Sequence, residues 1–187
     1  MRIIGGSLRG KTIVPPAKLN ARPTTDFAKE ALFNVLENTY DFTKIRVLDL
    51  FAGTGSISFE FASRGCLLID CIDINPLHRR FIKATAVSLK LPQIHALRLN
   101  AFDFFGICKV QYDIIFADPP YDINGIDTLP QRIFEHGLLK DGGIFILEHS
   151  REYDFSKNSY WVKHKVYGSV NFSFFEPLQF QNRCLLH

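Results

Sequence analysis

Asp118-Pro119-Pro120-Tyr121 joins a carboxylate to two prolines and an aromatic ring. Each proline fixes its own φ, restricts the residue before it and lacks an N–H. The segment therefore offers acceptors only. The Asp118 carboxylate and the Pro119 carbonyl can converge on one NH2 group, and Tyr121 can stack beneath a flat ring. Such a segment is a receptor for the exocyclic amine of a base; the plainer alternative is a proline-rich turn after a strand. A second cluster is Asp49-Leu50-Phe51-Ala52-Gly53-Thr54-Gly55. Its glycines allow positive φ and close approach of a ligand to the backbone. Position 58 is Ser, so the dinucleotide pattern G-x-G-x-x-G is broken, and no Lys-Ser/Thr pair follows to hold a phosphate. An acid just before the loop suits a ligand with a cationic amino-acid end. The third is Asp73, 18 residues past Gly55. A carboxylate there can accept from a ribose diol, or it can serve the start of the helix that Asn75-Pro76 opens.

These residues need a scaffold, and the apolar pattern supplies one. Short apolar runs cover Ile45–Leu50, Leu67–Ile72, Ile94–Leu99, Tyr112–Ala117 and Gly143–Glu148. Helical stretches lie between them at Ser56–Ser63, Pro76–Leu89 and Asp127–His136. Apolar strands alternating with helices predict a parallel sheet covered on both faces. All three clusters fall at the carboxyl ends of predicted strands, where open α/β sheets bind ligands. Toward the C-terminus, Tyr160–Tyr167 and Val170–Phe175 flank Gly168-Ser169 and predict an antiparallel hairpin. At the N-terminus, Ile3-Ile4 and Thr12-Ile13-Val14 predict a short hairpin ended by Pro15-Pro16. A helix follows, capped by Thr24, Thr25 or Asp26. Its apolar stripe is Phe27, Ala28, Ala31, Leu32, Val35 and Leu36.

A chain of 187 residues, 47% of them hydrophobic, suits one domain over 1–187. Residues 26–187 would be the core and 1–25 a basic arm. That arm carries Arg2, Arg9, Lys11, Lys18 and Arg22 and no acid, against a net charge of only +3 for the whole chain. The remainder is therefore net acidic, and the arm could neutralise the phosphates of a polyanion. No apolar run approaches the roughly 20 residues of a membrane span. Cys66, Cys71, Cys108 and Cys184 show no CxxC spacing and read as reduced thiols. The six histidines are scattered, so no metal site is expected.

With these residues in view, the chain resembles class I S-adenosylmethionine-dependent methyltransferases of the amino-methylating branch, through Asp49-x-Phe51-Ala52-Gly53-x-Gly55, the Asp73 acid and Asp118-Pro119-Pro120-Tyr121. Met1-Arg2-Ile3-Ile4-Gly5-Gly6, Arg9-Gly10-Lys11, Arg22-Pro23-Thr24-Thr25 and Glu30-x-Leu32-Phe33-Asn34 make it similar to the bacterial 16S rRNA guanine-N2 methyltransferase family. The resemblance implies a Rossmann-like α/β fold: a seven-stranded, mostly parallel sheet with a C-terminal antiparallel hairpin. It implies S-adenosyl-L-methionine as cofactor, with the Gly53–Gly55 loop around its methionine part and Asp49 near the amino end. Asp73 would hold the ribose hydroxyls and Ile74 would pack on the adenine. Asn100, followed by Ala101, stands where many methyltransferases place an Asp that reads the adenine amine. The implied substrate is an unstacked guanine of 16S rRNA, in the small ribosomal subunit or an assembly intermediate, with Arg9, Lys11 and Arg22 on flanking phosphates. Phe27 departs from the family, which often has an arginine there; Lys29 remains as a nearby cation. The protein is expected to act in the cytoplasm as a monomer, without metal or membrane. The competing readings are a DNA adenine-N6 methyltransferase, a protein-glutamine methyltransferase and an RNA-binding assembly factor that does not methylate.

Overall fold

A computed structural model describes residues 1–19, 24–120 and 123–179. Seven strands form one sheet: β1 (Arg46–Leu50), β2 (Leu68–Asp73), β3 (Ile94–Arg98), β4 (Tyr112–Ala117), β5 (Leu139–His149), β6 (Trp161–Tyr167) and β7 (Val170–Phe175). Their order is β3-β2-β1-β4-β5-β7-β6, with β1 to β5 parallel and β7 antiparallel to both of its neighbours. The parallel strands and the terminal hairpin are those that the apolar runs predict, in the Rossmann-like arrangement that the resemblance implies. The direction of winding reverses between β1 and β4, which leaves a crevice at their carboxyl ends.

Side-chain alternation divides the core in two. Val47, Ile69, Ile114, Phe116, Ile144 and Ile146 face one layer; Leu48, Ile72, Ile115, Ala117, Phe145 and Leu147 face the other. The first face is covered by α1 (Asp26–Glu37), α2 (Ser56–Ser63) and α3 (Pro76–Ser88), the second by α4 (Ala101–Ile107) and α5 (Leu129–Glu135). With helices on both faces, the central strands are apolar along their whole length.

Four local findings differ from the sequence expectation. In α1 the inward face is Ala28, Lys29, Leu32, Phe33 and Leu36, while Phe27 is 66% exposed. The Thr25 cap, which accepts from the Ala28 N–H at 3.2 Å, sets a phase about one residue round from the apolar stripe. The helix α4 falls in a stretch to which the apolar pattern assigns no element; seven residues are too few to show a helical period. The strand β5 begins four residues before Gly143 and carries a register shift between its pairs Tyr112–Leu139 and Ile114–Ile144. The expected helix at Asp127–His136 resolves into a 3-10 turn, Ile126–Thr128, followed by α5.

The N-terminal hairpin is a single bridge, Arg2 to Thr12, closed by a 3-10 turn at Gly6–Leu8. It is bolted to α2 by a buried acid. Both Glu60 carboxylate oxygens accept from the arm, from Ile4 N and Gly5 N at 2.8 Å each. Arg64 and Lys29 complete the shell at 3.0 and 3.7 Å. The fit admits no side chain at Gly6, where a Cβ would sit 2.0 Å from the Ser63 carbonyl oxygen. Cys66, Cys71 and Cys108 are free thiols. No helix among the described residues is long and apolar enough to cross a membrane.

Candidate functional site

A cavity of about 740 Å³ opens at the carboxyl ends of β1, β2, β4 and β5. Asp49, near the end of β1, is buried against its wall. The Ser58 hydroxyl donates to Asp49 Oδ2, and the Cys71 thiol donates to Ser58 Oγ at 3.0 Å. The serine that breaks the dinucleotide pattern therefore supports the acid of the loop. Burial pushes the Asp49 carboxyl up to about 7, against the bonds from Ser58, and the Asp73 charge adds to the rise.

The loop after β1 is held by its backbone. Phe51 has φ 62°, a left-handed conformation for a bulky residue, and it lines the cavity. Such strain costs of order 1–3 kcal/mol and persists where surrounding structure enforces it. Here the Ala52 N–H is bound to the Ile72 carbonyl at 2.9 Å and the Gly53 N–H donates to Asp73 Oδ2 at 2.8 Å. Gly55 caps α2 with φ 79° and is not among the cavity-lining residues. A Cβ there would press on Phe59 and Ile82 at 3.0 and 3.1 Å, so this glycine sets the approach of α2 to α3 from behind the wall.

Asp73 ends β2 on the cavity rim. Besides Gly53 N, it accepts from Asn75 N at 2.7 Å and pairs with His78 Nδ1 at 3.0 Å. Thus it holds both the loop and the turn into α3, whose cap is Asn75. Ile74 beside it is 63% exposed. Asn100 lines the cavity and caps α4: its Oδ1 accepts from Phe102 N at 2.8 Å. Any ligand amine would share that oxygen. Ala101 is buried in the wall next to it.

Asp118, Pro119 and Pro120 follow β4 into the cavity, while Tyr121 lies outside the described residues. Burial, together with the charges of Glu148 and Asp49, holds the Asp118 carboxyl well above the usual carboxylate range. Glu148, read in the sequence only as the end of a strand run, is a site residue. Pairing of Ala117 with Leu147 in the parallel register sets Asp118 beside Glu148 at neighbouring strand ends. Thr24 Oγ1 donates to Glu148 Oε2 at 2.9 Å. Thr24 and Thr25, just before α1, and Ser169 and Val170 from the β6–β7 hairpin complete the lining. His78 is another lining residue that sequence reasoning missed. Its signal was faint: one histidine five residues after Asp73, in the first turns of the next helix.

The lining carries four carboxylates (Asp49, Asp73, Asp118 and Glu148) and His78, and no lysine or arginine among the described residues. The cavity thus favours a cationic ligand over a phosphate. Cations lie outside it. Arg9 and Lys11 are exposed on the arm, whose Met1 Sδ accepts from Thr54 Oγ1 of the loop at 3.8 Å. Arg22 falls outside the described residues. Lys29 corrects its expected role: it is 1% exposed and bound to Glu60 and the Arg2 carbonyl, so it is not at the surface. Burial pulls its ammonium below the usual lysine value against the pull of Glu60. Among the described residues no group of His, Cys, Asp and Glu is placed to hold a metal.

Known proteins match this chain along most of its length. The family model described as Conserved hypothetical protein 95 matches residues 1–176. A protein of Buchnera aphidicola (subsp. Baizongia pistaciae) called Ribosomal RNA small subunit methyltransferase D is 30% identical over 148 residues, spanning 79% of this chain and 75% of that one. Its namesake in Escherichia coli K12 is 28% identical over 148 residues, with 79% and 74% covered. A hypothetical protein of Thermus thermophilus superposes with a TM-score of 0.83 at 27% identity, over 95% of this chain and 99% of that one.

Proposed function

The chain belongs to the Conserved hypothetical protein 95 family, a family of class I methyltransferases, and on that premise we propose that it methylates the exocyclic N2 amine of a guanine in 16S rRNA. S-adenosylmethionine, when bound, would supply an electrophilic methyl group to N2, with S-adenosylhomocysteine and one proton from N2 as the other products. One observation carries the reading: a cavity ringed by four carboxylates with no lysine or arginine among its described lining residues. A sulfonium that also bears an ammonium fits that field, and a pyrophosphate does not. Asp49 and the Gly53 loop would hold the amino-acid end. Asp73 would hold the ribose, and Ile74, Asn100 and Ala101 the adenine.

The chain's own part in the chemistry is positioning and electrostatics. In the free protein Asp118 keeps its proton to unusually high pH, through burial and the charges of Glu148 and Asp49. A cation in the cavity favours the charged form, which only accepts. Asp118 and the Pro119 carbonyl then draw the two N2 hydrogens into line and return electron density to nitrogen. The proton released can pass to Asp118 or to water. Pro119 and Pro120 keep the pincer stiff without offering a competing donor.

The test incubates the protein and labelled S-adenosylmethionine with small subunits from a strain lacking this activity, and maps the product by mass spectrometry. The expected product is N2-methylguanosine at one site of 16S rRNA, with Asp118→Ala lowering turnover roughly a hundredfold or more. Methylation on another base, or unchanged turnover in Asp118→Ala, overturns the proposal.

A further inference from the structure

We propose that Glu148 is the guanine-reading residue: it accepts the N1–H while Asp118 and Pro119 hold the N2 amine, and so selects guanine against adenine. This rests on the methylation proposed above and gives a base-reading role to a residue that there acts only through its charge on Asp118.

Three placements support it. Glu148 lines the same cavity as Asp118, and the parallel register brings the two together at the ends of β4 and β5. Neighbouring strands run roughly 4.8 Å apart, a spacing at which two carboxyl groups can each accept from one of two adjacent donors. Alternation puts both side chains, with Asp49, on the α1–α3 side of the sheet, the side to which Phe116 and Ile146 turn. Glu148 is also oriented: the Thr24 hydroxyl, at the start of α1, donates to its Oε2 at 2.9 Å. An acid used only for surface solubility has no need of a buried hydroxyl to aim it.

The base chemistry fits that arrangement. Guanine presents two neighbouring donors, N1–H and N2–H2. Adenine presents a donor, N6–H2, beside an acceptor, N1. An ionised carboxylate has acceptors only. Opposite guanine it forms a charge-assisted bond; opposite adenine it faces a lone pair, and both groups stay unsatisfied in a desolvated site. Asp118 and Pro119 alone cannot make this distinction, because each base offers them an NH2 group.

Glu148→Gln tests the inference, because an amide offers a donor and an acceptor. It can still accept from Thr24, and it can pair with the adenine edge. The substrates are small subunits reconstituted with 16S rRNA that carries guanine or adenine at the position mapped above. The guanine-to-adenine ratio of kcat/KM is expected to fall by roughly tenfold or more in Glu148→Gln. It should fall by less in Glu148→Ala, which removes the acceptor and adds no donor. A change in cofactor affinity would lower both rates together and leave the ratio unmoved. If Glu148→Gln folds poorly, Glu148→Ala still reports the ratio. A ratio within twofold of wild type in the folded variants overturns the role of Glu148 while N2-methylguanosine remains the product. If the wild-type product is not N2-methylguanosine, both proposals fall.

Discussion

Asp49 is both a structural and a chemical group. Its carboxyl titrates at about 7 in the folded chain and near 3.9 when unfolded. Between those values the folded protein holds a proton that the unfolded chain has lost. Stability therefore falls as pH rises through this window, by about 1.4 kcal/mol per pH unit. Asp118 is displaced in the same direction and adds to the slope. The ligand-free protein should melt at a lower temperature at pH 7.5 than at pH 5. Asp49→Asn should flatten that decline, as followed by calorimetric Tm across the range; an unchanged slope would show that Asp49 does not carry it. In the sequence, Asp49, Asp73 and Asp118 could be picked out because each stands at the end of an apolar run beside glycine, asparagine or proline. Glu148 and His78 could not, since nothing adjacent marks them and their roles come from residues 124 and 5 positions away.

Glu60 sits at the centre of α2 and decides where the N-terminal arm lies. It is wholly buried, accepts two arm N–H groups and neutralises Lys29 and Arg64. Removing one partner of a buried charge pair costs about 3–5 kcal/mol, because the opposite charge is left without compensation. Glu60→Ala should lower the urea midpoint accordingly. It should also raise amide exchange at Ile4 and Gly5; a shift of less than about 1 kcal/mol would mean that the arm is held by its apolar residues Ile3 and Ile13 instead. The sequence showed α2 as a helix with the right ends, but not that it would be buried on every side. That burial comes from the arm, whose Gly6 allows contact with the Ser63 carbonyl. For α4 the sequence held a cap, Asn100, and no readable period, so the element was legible only once the helix lay on the sheet.

The molecule as a whole separates its charges. Acids crowd the cavity, while Arg9 and Lys11 stand exposed on the arm outside it. A cationic small ligand and a polyanion could then bind side by side without competing for the same groups. If the arm contacts RNA, Arg9→Ala with Lys11→Ala should weaken subunit binding and reduce the slope of log K against log salt. Two phosphate contacts on single-stranded RNA correspond to a reduction of about 1.4. Filter binding between about 50 and about 200 mM salt reads the slope; an unaltered one removes the arm from the interface. Thr24, just before the N-terminal helix, and Ser169 of the C-terminal hairpin both line the cavity, so the two ends of the fold share in building it.

The sequence by itself determined the alternation of strands and helices, the strand-end positions of Asp49, Asp73 and Asp118, and the basic character of the arm. These depend on local pattern: period, glycine and proline placement, and charge along a few neighbouring residues. Tertiary structure alone decided that Glu148 stands beside Asp118, that Ser58 supports Asp49, that His78 pairs with Asp73 and that Lys29 is buried on Glu60. Each of those contacts joins two different elements: strand register sets Glu148 beside Asp118, and the packing of α1, α2 and α3 on the sheet brings the others together.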